Sequence, residues 1–223
     1  MTAGSREEIL HRIRKGLGKG EGARKDAETP EPVTSTAGSG LSKDDLAAVF
    51  AESLAGINTS VYRTSREGVL EFVTGFIRER GAESFSIWET EYLKSLGIAG
   101  SLEGGGLALA PAENKAAIAN SGVGITGADY ALADTGSLVL ISSPGQPRGV
   151  SLVPPVHLAI VRKENILSDI GELFGLLNEI YESPDAIPAC TTFITGPSRT
   201  ADIELNLTLG VHGPKELHVL IVS

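Results

Sequence analysis

The most informative segment of the chain lies at positions 193–214 and reads FITGPSRTADIELNLTLGVHGP. An apolar, β-branched run at 190–195 stops at Gly196 and Pro197. Small hydroxyl residues follow, and after them come apolar residues whose spacing we interpret as that of a helix. The pattern predicts a strand, a tight turn and the start of a helix. A helix that begins there directs unpaired backbone N–H groups and the positive end of its dipole toward the turn.

The turn at 195–200 is the predicted anion-binding site. Five of its residues contribute hydroxyl groups, backbone N–H groups or a positive charge: Thr195, Gly196, Ser198, Arg199 and Thr200. Backbone donors at a helix start, together with an arginine, suit a carboxylate or a phosphate. The same residues also fit a plain helix cap, in which Asp202 and Glu204 are favourable first-turn charges. Both interpretations stay open at this point.

Two further residues are candidates for acid–base catalysis. His212 lies in a sharp turn at 210–214 that is bounded by glycine and proline, and histidine changes its charge near neutral pH. Asp134 lies in a region of small residues at 124–136, where Thr135 is another candidate contact. Each has a local alternative: Asp134 caps its own turn, and His212 bonds to the backbone.

Arg148 is a second candidate cation for the anion site. It lies in a loop rich in glycine and proline at 143–155. Ligands of open α/β sheets bind beyond the carboxyl ends of the strands, so we expect this loop to meet those at 124–136 and 195–214. An arginine pair there would hold a carboxylate or a phosphate. No tight spacing of metal ligands occurs, and no metal site is predicted.

Composition and charge exclude several classes of protein. The chain has 223 residues, of which 41% are hydrophobic, and no apolar run approaches the roughly 20 residues of a membrane span. A formal net charge of −9 disfavours nucleic acid as a partner. The N-terminal residues lack the pattern of a secretory signal, so we expect a cytoplasmic protein.

The cysteine content limits the redox chemistry of the chain. A single cysteine, Cys190, excludes an internal disulfide and also a four-cysteine iron–sulfur or zinc site within this chain. Any iron–sulfur cluster must therefore belong to a partner protein. Because Cys190 lies in an apolar strand pattern, we expect it to be buried and inert.

Three segments are predicted along the chain. Residues 1–17 form an amphipathic leader helix, whose basic face is either solvated or docked on a partner, and residues 18–40 form a flexible linker. Residues 41–223 form one folded domain in which strand and helix patterns alternate, with a long helix at 165–181. Several strand runs are continuously apolar, as in strands covered on both faces. We predict an α/β fold with an open, largely parallel sheet flanked by helices.

Four motifs carry a resemblance to a known family: TGADYALADTGSLVL at 126–140, PPVH at 154–157, TGPSRTADIE at 195–204 and GVHGP at 210–214. In this order they resemble the lactate-utilization (LUD) domain family, in its lactate utilization protein C (LutC) branch. The resemblance covers about residues 41–223. It implies a fold of the NagB/RpiA/CoA-transferase-like group.

The resemblance also implies a function. The family acts in a cytoplasmic system that oxidises L-lactate to pyruvate, so the chain would be one component of an L-lactate dehydrogenase complex with iron–sulfur clusters on partner subunits. No cofactor is implied for this chain itself. Its loops would contribute the site for a small carboxylate or for a phosphate-bearing ligand. Two alternatives remain: a non-catalytic module that assembles the iron–sulfur subunits, and an independent group-transfer or ligase enzyme of the same fold group.

Overall fold

The computed structural model describes residues 3–16, 40–181, 183, 186–201 and 207–223. The leader contains helix α1 (Ala3–Gly16), on which Ile9 and Ile13 are exposed. Almost all of the predicted linker, and both Asp202 and Glu204, lie outside the described residues. The division into leader, linker and domain therefore stays a prediction.

The main sheet has six strands, and every neighbouring pair in it is parallel. Its order is β1-β12-β7-β4-β2-β3. The strand bounds are β1 Ser60–Thr64, β2 Ser84–Ile87, β3 Ala108–Ala110, β4 Val123–Gly127, β7 Val156–Arg162 and β12 Glu216–Val222. Strands β4, β7 and β12 are buried along most of their length, which explains their continuously apolar sequences. The predicted α/β class with a parallel sheet is confirmed.

Helices of the domain pack around this sheet and begin and end at local signals. Their bounds are α2 Lys43–Ala55, α3 Val69–Glu79, α4 Glu91–Ser95, α5 Ile98–Gly104, α6 Lys115–Ala119, α7 Gly149–Leu152 and α8 Ile170–Ile180. Ser42 and Asp45 form a reciprocal capping box at the start of α2. Gly81 follows α3 with a φ of 59°, a conformation that glycine adopts without steric cost.

A second, four-stranded sheet was not predicted. It has the order β8-β5-β6-β9, with β5 at Tyr130–Leu132, β6 at Ser137–Ile141, β8 at Ile166–Leu167 and β9 at Thr191–Ile194. Strand β6 is antiparallel to both of its neighbours. It places Leu138 and Leu140 in the main core and Val139 in a smaller core under α8. Because both faces of β6 are covered, its sequence resembles that of a parallel strand.

Several predictions of secondary structure were wrong, among them the loop at 124–136, which contains most of β4 and all of β5. The described residues of the segment predicted as a helix after residue 197 are strands: Arg199–Ala201 (β10) and Leu207–Leu209 (β11) form an antiparallel pair. Apolar residues alternate strictly with polar ones at 203–209, which is the two-residue period of a strand. The helix predicted at 165–181 starts only at Ile170, because β8 precedes it. Among the described helices, none combines the length and the apolar character needed to cross a bilayer.

Candidate functional site

A cavity of about 240 Å³ brings together residues from distant parts of the domain. Its wall consists of residues 151–152, 192–198 and 212–214, together with His157 and Leu217. His157 and Leu217 are register partners near the first residues of β7 and β12. The cavity therefore lies at the amino ends of these two strands, whereas we expected a site beyond carboxyl ends. The reason is that loops 143–155 and 210–214 precede β7 and β12 instead of following them.

Hydrogen bonds between two turns shape one wall of the cavity. The backbone N–H of Ser198 donates to the carbonyl of Pro214 at 2.9 Å, and the N–H of Gly210 donates to the carbonyl of Ser198 at 3.0 Å. Gly196 turns the chain after β9 with a φ of 87°, which a residue with a side chain rarely adopts. These contacts place Ser198 and His212 at one cavity, as their turns in the sequence suggested.

A chain of hydroxyl groups contacts the cavity wall at Thr195. The Oγ atoms of Ser137 and Thr195 are 2.7 Å apart, and Oγ1 of Thr135 is 2.8 Å from Oγ of Ser137. Thr195 lines the cavity, but Thr135 does not. Thr135 is thus linked to the wall residue Thr195 through Ser137, which was not among the predicted site residues.

Several predicted site residues lie outside the cavity wall. The guanidinium of Arg199 donates to the carbonyl oxygen of Ile57, and that of Arg148 lies 3.5 Å from Sγ of Cys190. The two arginines are therefore not a pair. Asp134 is exposed, and its backbone N–H donates to the carbonyl of Ser168 at 3.1 Å. Of the residues predicted to bind or to react, those that line the cavity are Thr195, Gly196, Ser198 and His212.

Cys190 differs from its expected state. It is half-buried, and its Sγ lies near the hydroxyl of Thr192 as well as near Arg148. The hydrogen bond from Arg148 lowers the pKa of the thiol, and Thr192 acts in the same direction. The expectation that Cys190 is buried was wrong. Its lowered pKa favours the thiolate, which is the reactive form of cysteine, so its reactivity becomes a prediction.

The sequence argument missed His157, the most deeply buried polar residue of the cavity wall. It exposes none of its surface, and its Nε2 lies 2.8 Å from Oγ1 of Thr126 on β4. Burial lowers the pKa of His157 from 6.5 to about 3, and the nearby His218 acts in the same direction. A histidine inside an apolar strand pattern, at the end of the PPVH motif, was the available signal.

Asp129, a carboxylate of the segment at 124–136, has a structural partner outside the cavity wall. Asp129 follows β4, and its carboxylate accepts a hydrogen bond from the backbone N–H of Ile141 at 2.7 Å, which ties it to β6. Burial raises the pKa of this carboxyl. Within the part of the chain that the structure describes, no three residues of the metal-binding types come together.

Comparison with known proteins places the chain in a family. The model of the LUD domain matches residues 47–222. A lactate utilization protein C from Halalkalibacterium halodurans is 30% identical over 231 residues, which cover 98% of this chain and 97% of that protein. Another from Bacillus subtilis strain 168 is 29% identical and covers 100% of this chain and 98% of its own.

Among solved structures, a DUF162 family protein from Deinococcus radiodurans shares the fold. It has a TM-score of 0.59 at 18% identity and covers 82% of this chain and 99% of its own. The family model spans nearly all of the folded domain, including both sheets and every residue of the cavity wall. The chain therefore belongs to the LUD domain family.

Proposed function

We propose that this protein takes part in the oxidation of L-lactate to pyruvate, as one subunit of a cytoplasmic system whose iron–sulfur clusters are carried by partner subunits. The similarity to proteins named for lactate utilization, which extends over nearly the whole of both chains, carries the proposal. The cavity at the amino ends of β7 and β12 is its ligand site.

The wall of this cavity suits a small hydroxy acid. Hydroxyl groups of Thr195 and Ser198 and the ring of His212 offer hydrogen bonds to carboxylate and hydroxyl oxygens. Leu152 and Ile194 provide apolar surface for a methyl group. Lactate and pyruvate have one carboxylate, one further oxygen and one methyl group, and both are small enough for a cavity of about 240 Å³.

The proposal divides the work between this chain and its partners. Oxidation of lactate removes two protons and two electrons and converts the C2 hydroxyl group into a carbonyl. His212 in the cavity wall accepts the hydroxyl proton, and the C2 proton and both electrons leave to the partner subunits, whose iron–sulfur clusters take up the electrons. The single cysteine of this chain supports that division, because one thiolate does not hold a four-cysteine cluster.

Arg199 has an indirect role in this proposal. Its guanidinium donates a hydrogen bond to the carbonyl oxygen of Ile57. The same oxygen lies beside Gly196, since a Cβ atom on Gly196 would be 3.3 Å from it. Arg199 thus anchors the turn that carries Thr195 and Ser198. Arg148 is proposed to act from outside the cavity wall through Cys190, and Asp134 through the backbone contacts of its turn with Ser168 and Ser53.

A second candidate function is the assembly of the partner subunits. Three large apolar side chains belong to the cavity wall or directly adjoin it in sequence, and they are 49%, 41% and 52% exposed: Val153, Phe193 and Val211. Exposed apolar surface beside a cavity is typical of a protein interface. Independent group transfer is supported by the fold alone, which hosts many functions.

Growth on lactate tests the proposed function. We expect a strain that lacks this protein to lose growth on L-lactate as sole carbon source, and the wild-type chain to restore it. Ser198→Ala with His212→Gln should fail to restore growth while still recovering the partner subunits in pull-downs. Ser101→Ala, an exposed change on α5, serves as the control.

The two candidate functions differ in the outcome of the pull-down. If the double variant also loses its partners, the assembly function is favoured. Undiminished growth of the deletion strain on L-lactate would contradict a role in lactate oxidation altogether.

A further inference from the structure

The hydrogen bond between His157 and Thr126 determines which nitrogen of the ring carries the proton. Both side chains are fully buried, and Nε2 lies 2.8 Å from Oγ1. Among the described residues, this is the single hydrogen bond of the Thr126 hydroxyl group. A buried hydroxyl group has one hydrogen to donate and nearly always donates it. The hydroxyl therefore donates to Nε2, and the neutral ring carries its hydrogen on Nδ1.

The Nδ1–H group has no partner of its own. Within the described part of the chain, it is one of three buried side-chain nitrogen or oxygen atoms that make no hydrogen bond. His157 lines the cavity, together with Leu217, its register partner on β12. An unpaired buried donor is unfavourable, and an acceptor oxygen of a ligand that reaches it from the cavity removes this cost.

We infer that His157 is a ligand-binding residue, and that its neutral Nδ1–H donates a hydrogen bond to a carboxylate or carbonyl oxygen of a small 2-hydroxy or 2-oxo acid. The identity of the acid rests on the proposed function, but the need for an acceptor oxygen follows from the tautomer. Thr126 is the positioning residue, because its hydroxyl keeps the hydrogen on Nδ1.

The environment of the ring makes this donor neutral and insensitive to pH near 7. The pKa of His157 is lowered to about 3 by burial, with His218 acting in the same direction from β12. Thr126, on the adjoining strand β4, carries no charge. The ligand thus meets a hydrogen-bond donor at this point and not a cation, so we expect affinity to depend little on salt.

Entry of the ligand requires a small movement of the cavity wall. Nδ1 exposes almost no surface, so an oxygen that bonds to it must displace a neighbouring side chain. Nearby wall residues are Ser151 and Leu152 on α7. Binding should therefore shift the resonances of this helix together with those of the histidine ring.

Two substitutions of His157 distinguish the contribution of Nδ1 from that of Nε2. The amide nitrogen of His157→Asn lies near the position of Nδ1 and retains a donor toward the cavity. The amide of His157→Gln reaches the position of Nε2 and retains the contact with Thr126, but it has no donor at Nδ1. Calorimetric titration of the full chain, alone and in complex with its partner subunits, uses L-lactate and pyruvate as probes.

We expect His157→Gln to lower the affinity at least tenfold, and His157→Asn to bind at least five times more tightly than His157→Gln. Equal affinity of wild type and His157→Gln, or no binding of either probe to the wild-type complex at millimolar concentration, would overturn the inference. Nitrogen NMR of the histidine ring provides a readout that does not need a functional variant. The ligand-free protein should show the Nδ1–H tautomer of His157. In Thr126→Val, the population of the Nε2–H tautomer should increase.

Observation of the Nε2–H tautomer in the wild type would also overturn the inference. This failure is distinct from failure of the proposed function. A His157→Gln strain that grows normally on L-lactate, with unchanged affinity, refutes the role of His157 and leaves the role in lactate oxidation intact.

Discussion

A Cβ atom on Gly124 would overlap the backbone carbonyl oxygen of Val150. Gly124 lies on β4, and Val150 lies on α7, the short helix that presents Ser151 and Leu152 to the cavity. The absence of a side chain at Gly124 therefore sets how closely α7 approaches the sheet, and with it the position of one cavity wall.

We expect Gly124→Ala to lower the free energy of unfolding by about 1–3 kcal/mol, because backbone must move to admit the methyl group. Affinity for L-lactate should also fall, since α7 is displaced. Urea denaturation and calorimetry measure the two effects. The matched control is Gly127→Ala on the same strand, where a Cβ atom would meet nothing within 4 Å. Equal effects of the two changes would contradict the role of the close approach.

Arg199→Ala tests whether this arginine anchors the turn or contacts the ligand. An anchor to the carbonyl of Ile57 predicts a loss of about 1 kcal/mol of stability and less than a tenfold loss of affinity for L-lactate. The control is Arg66→Ala, which removes another exposed arginine that bonds to a neutral oxygen, Oγ of Ser95. A hundredfold loss that varies with ionic strength would instead indicate direct ionic contact with the ligand.

The lowered pKa of His157 makes stability depend on pH. The ring titrates near its ordinary value of 6.5 when the chain is unfolded and at about 3 when it is folded. Between these values the unfolded chain binds one more proton, so this contribution is complete above pH 6.5 and is lost as the pH falls toward 3. The loss approaches about 1.4 kcal/mol per pH unit for one group. Denaturation at pH 7, 6 and 5 measures it.

His157→Gln is the control for the pH experiment, since it removes this group and leaves His218, whose pKa is also lowered by burial. The variant should lose about 1 kcal/mol less than wild type between pH 6 and pH 5. Parallel pH profiles for wild type and variant would show that the folded ring is protonated in this range.

Cys190 should react faster than an ordinary thiol. Arg148 lowers its pKa, so a larger fraction is thiolate at pH 7.5. We expect Arg148→Gln to slow alkylation by iodoacetamide several-fold, measured by mass spectrometry on the single cysteine of the chain. Arg78→Gln, an exposed change on α3, should leave the rate unchanged. An unchanged rate in Arg148→Gln would show that the guanidinium does not stabilise the thiolate.

Local signals were sufficient for much of the α/β domain. Ser42 and Asp45 cap α2, Gly81 follows α3, and the apolar run of β12 is a buried parallel strand. Each of these features depends on residues a few positions apart, so its pattern is legible without knowledge of the neighbours in space. The turns at 195–200 and 210–214 were recognised in the same way.

Other features depended on which face of an element is covered and by what. The sequence of β6 has the continuous apolar run that is typical of a parallel strand, because burial of β6 between two cores produces the same pattern. Residues 199–201 and 207–209 were predicted with the period of a helix, but they are strands that pair with each other. The predicted anion site relied on the dipole of this helix, and that part of its argument no longer holds.

The residues of the cavity wall show most clearly what the sequence patterns could not predict. The strand and helix patterns depend on residues that are close in sequence, and they were enough to predict the class of fold. The single cysteine was enough to exclude an iron–sulfur cluster held by four cysteines of this chain. The bond between His157 and Thr126 joins residues 31 positions apart on neighbouring strands. Its burial, and the unpaired Nδ1 that follows, arise only when β4, β7 and α7 pack together, because desolvation depends on all the atoms around a group and not on its place in the chain.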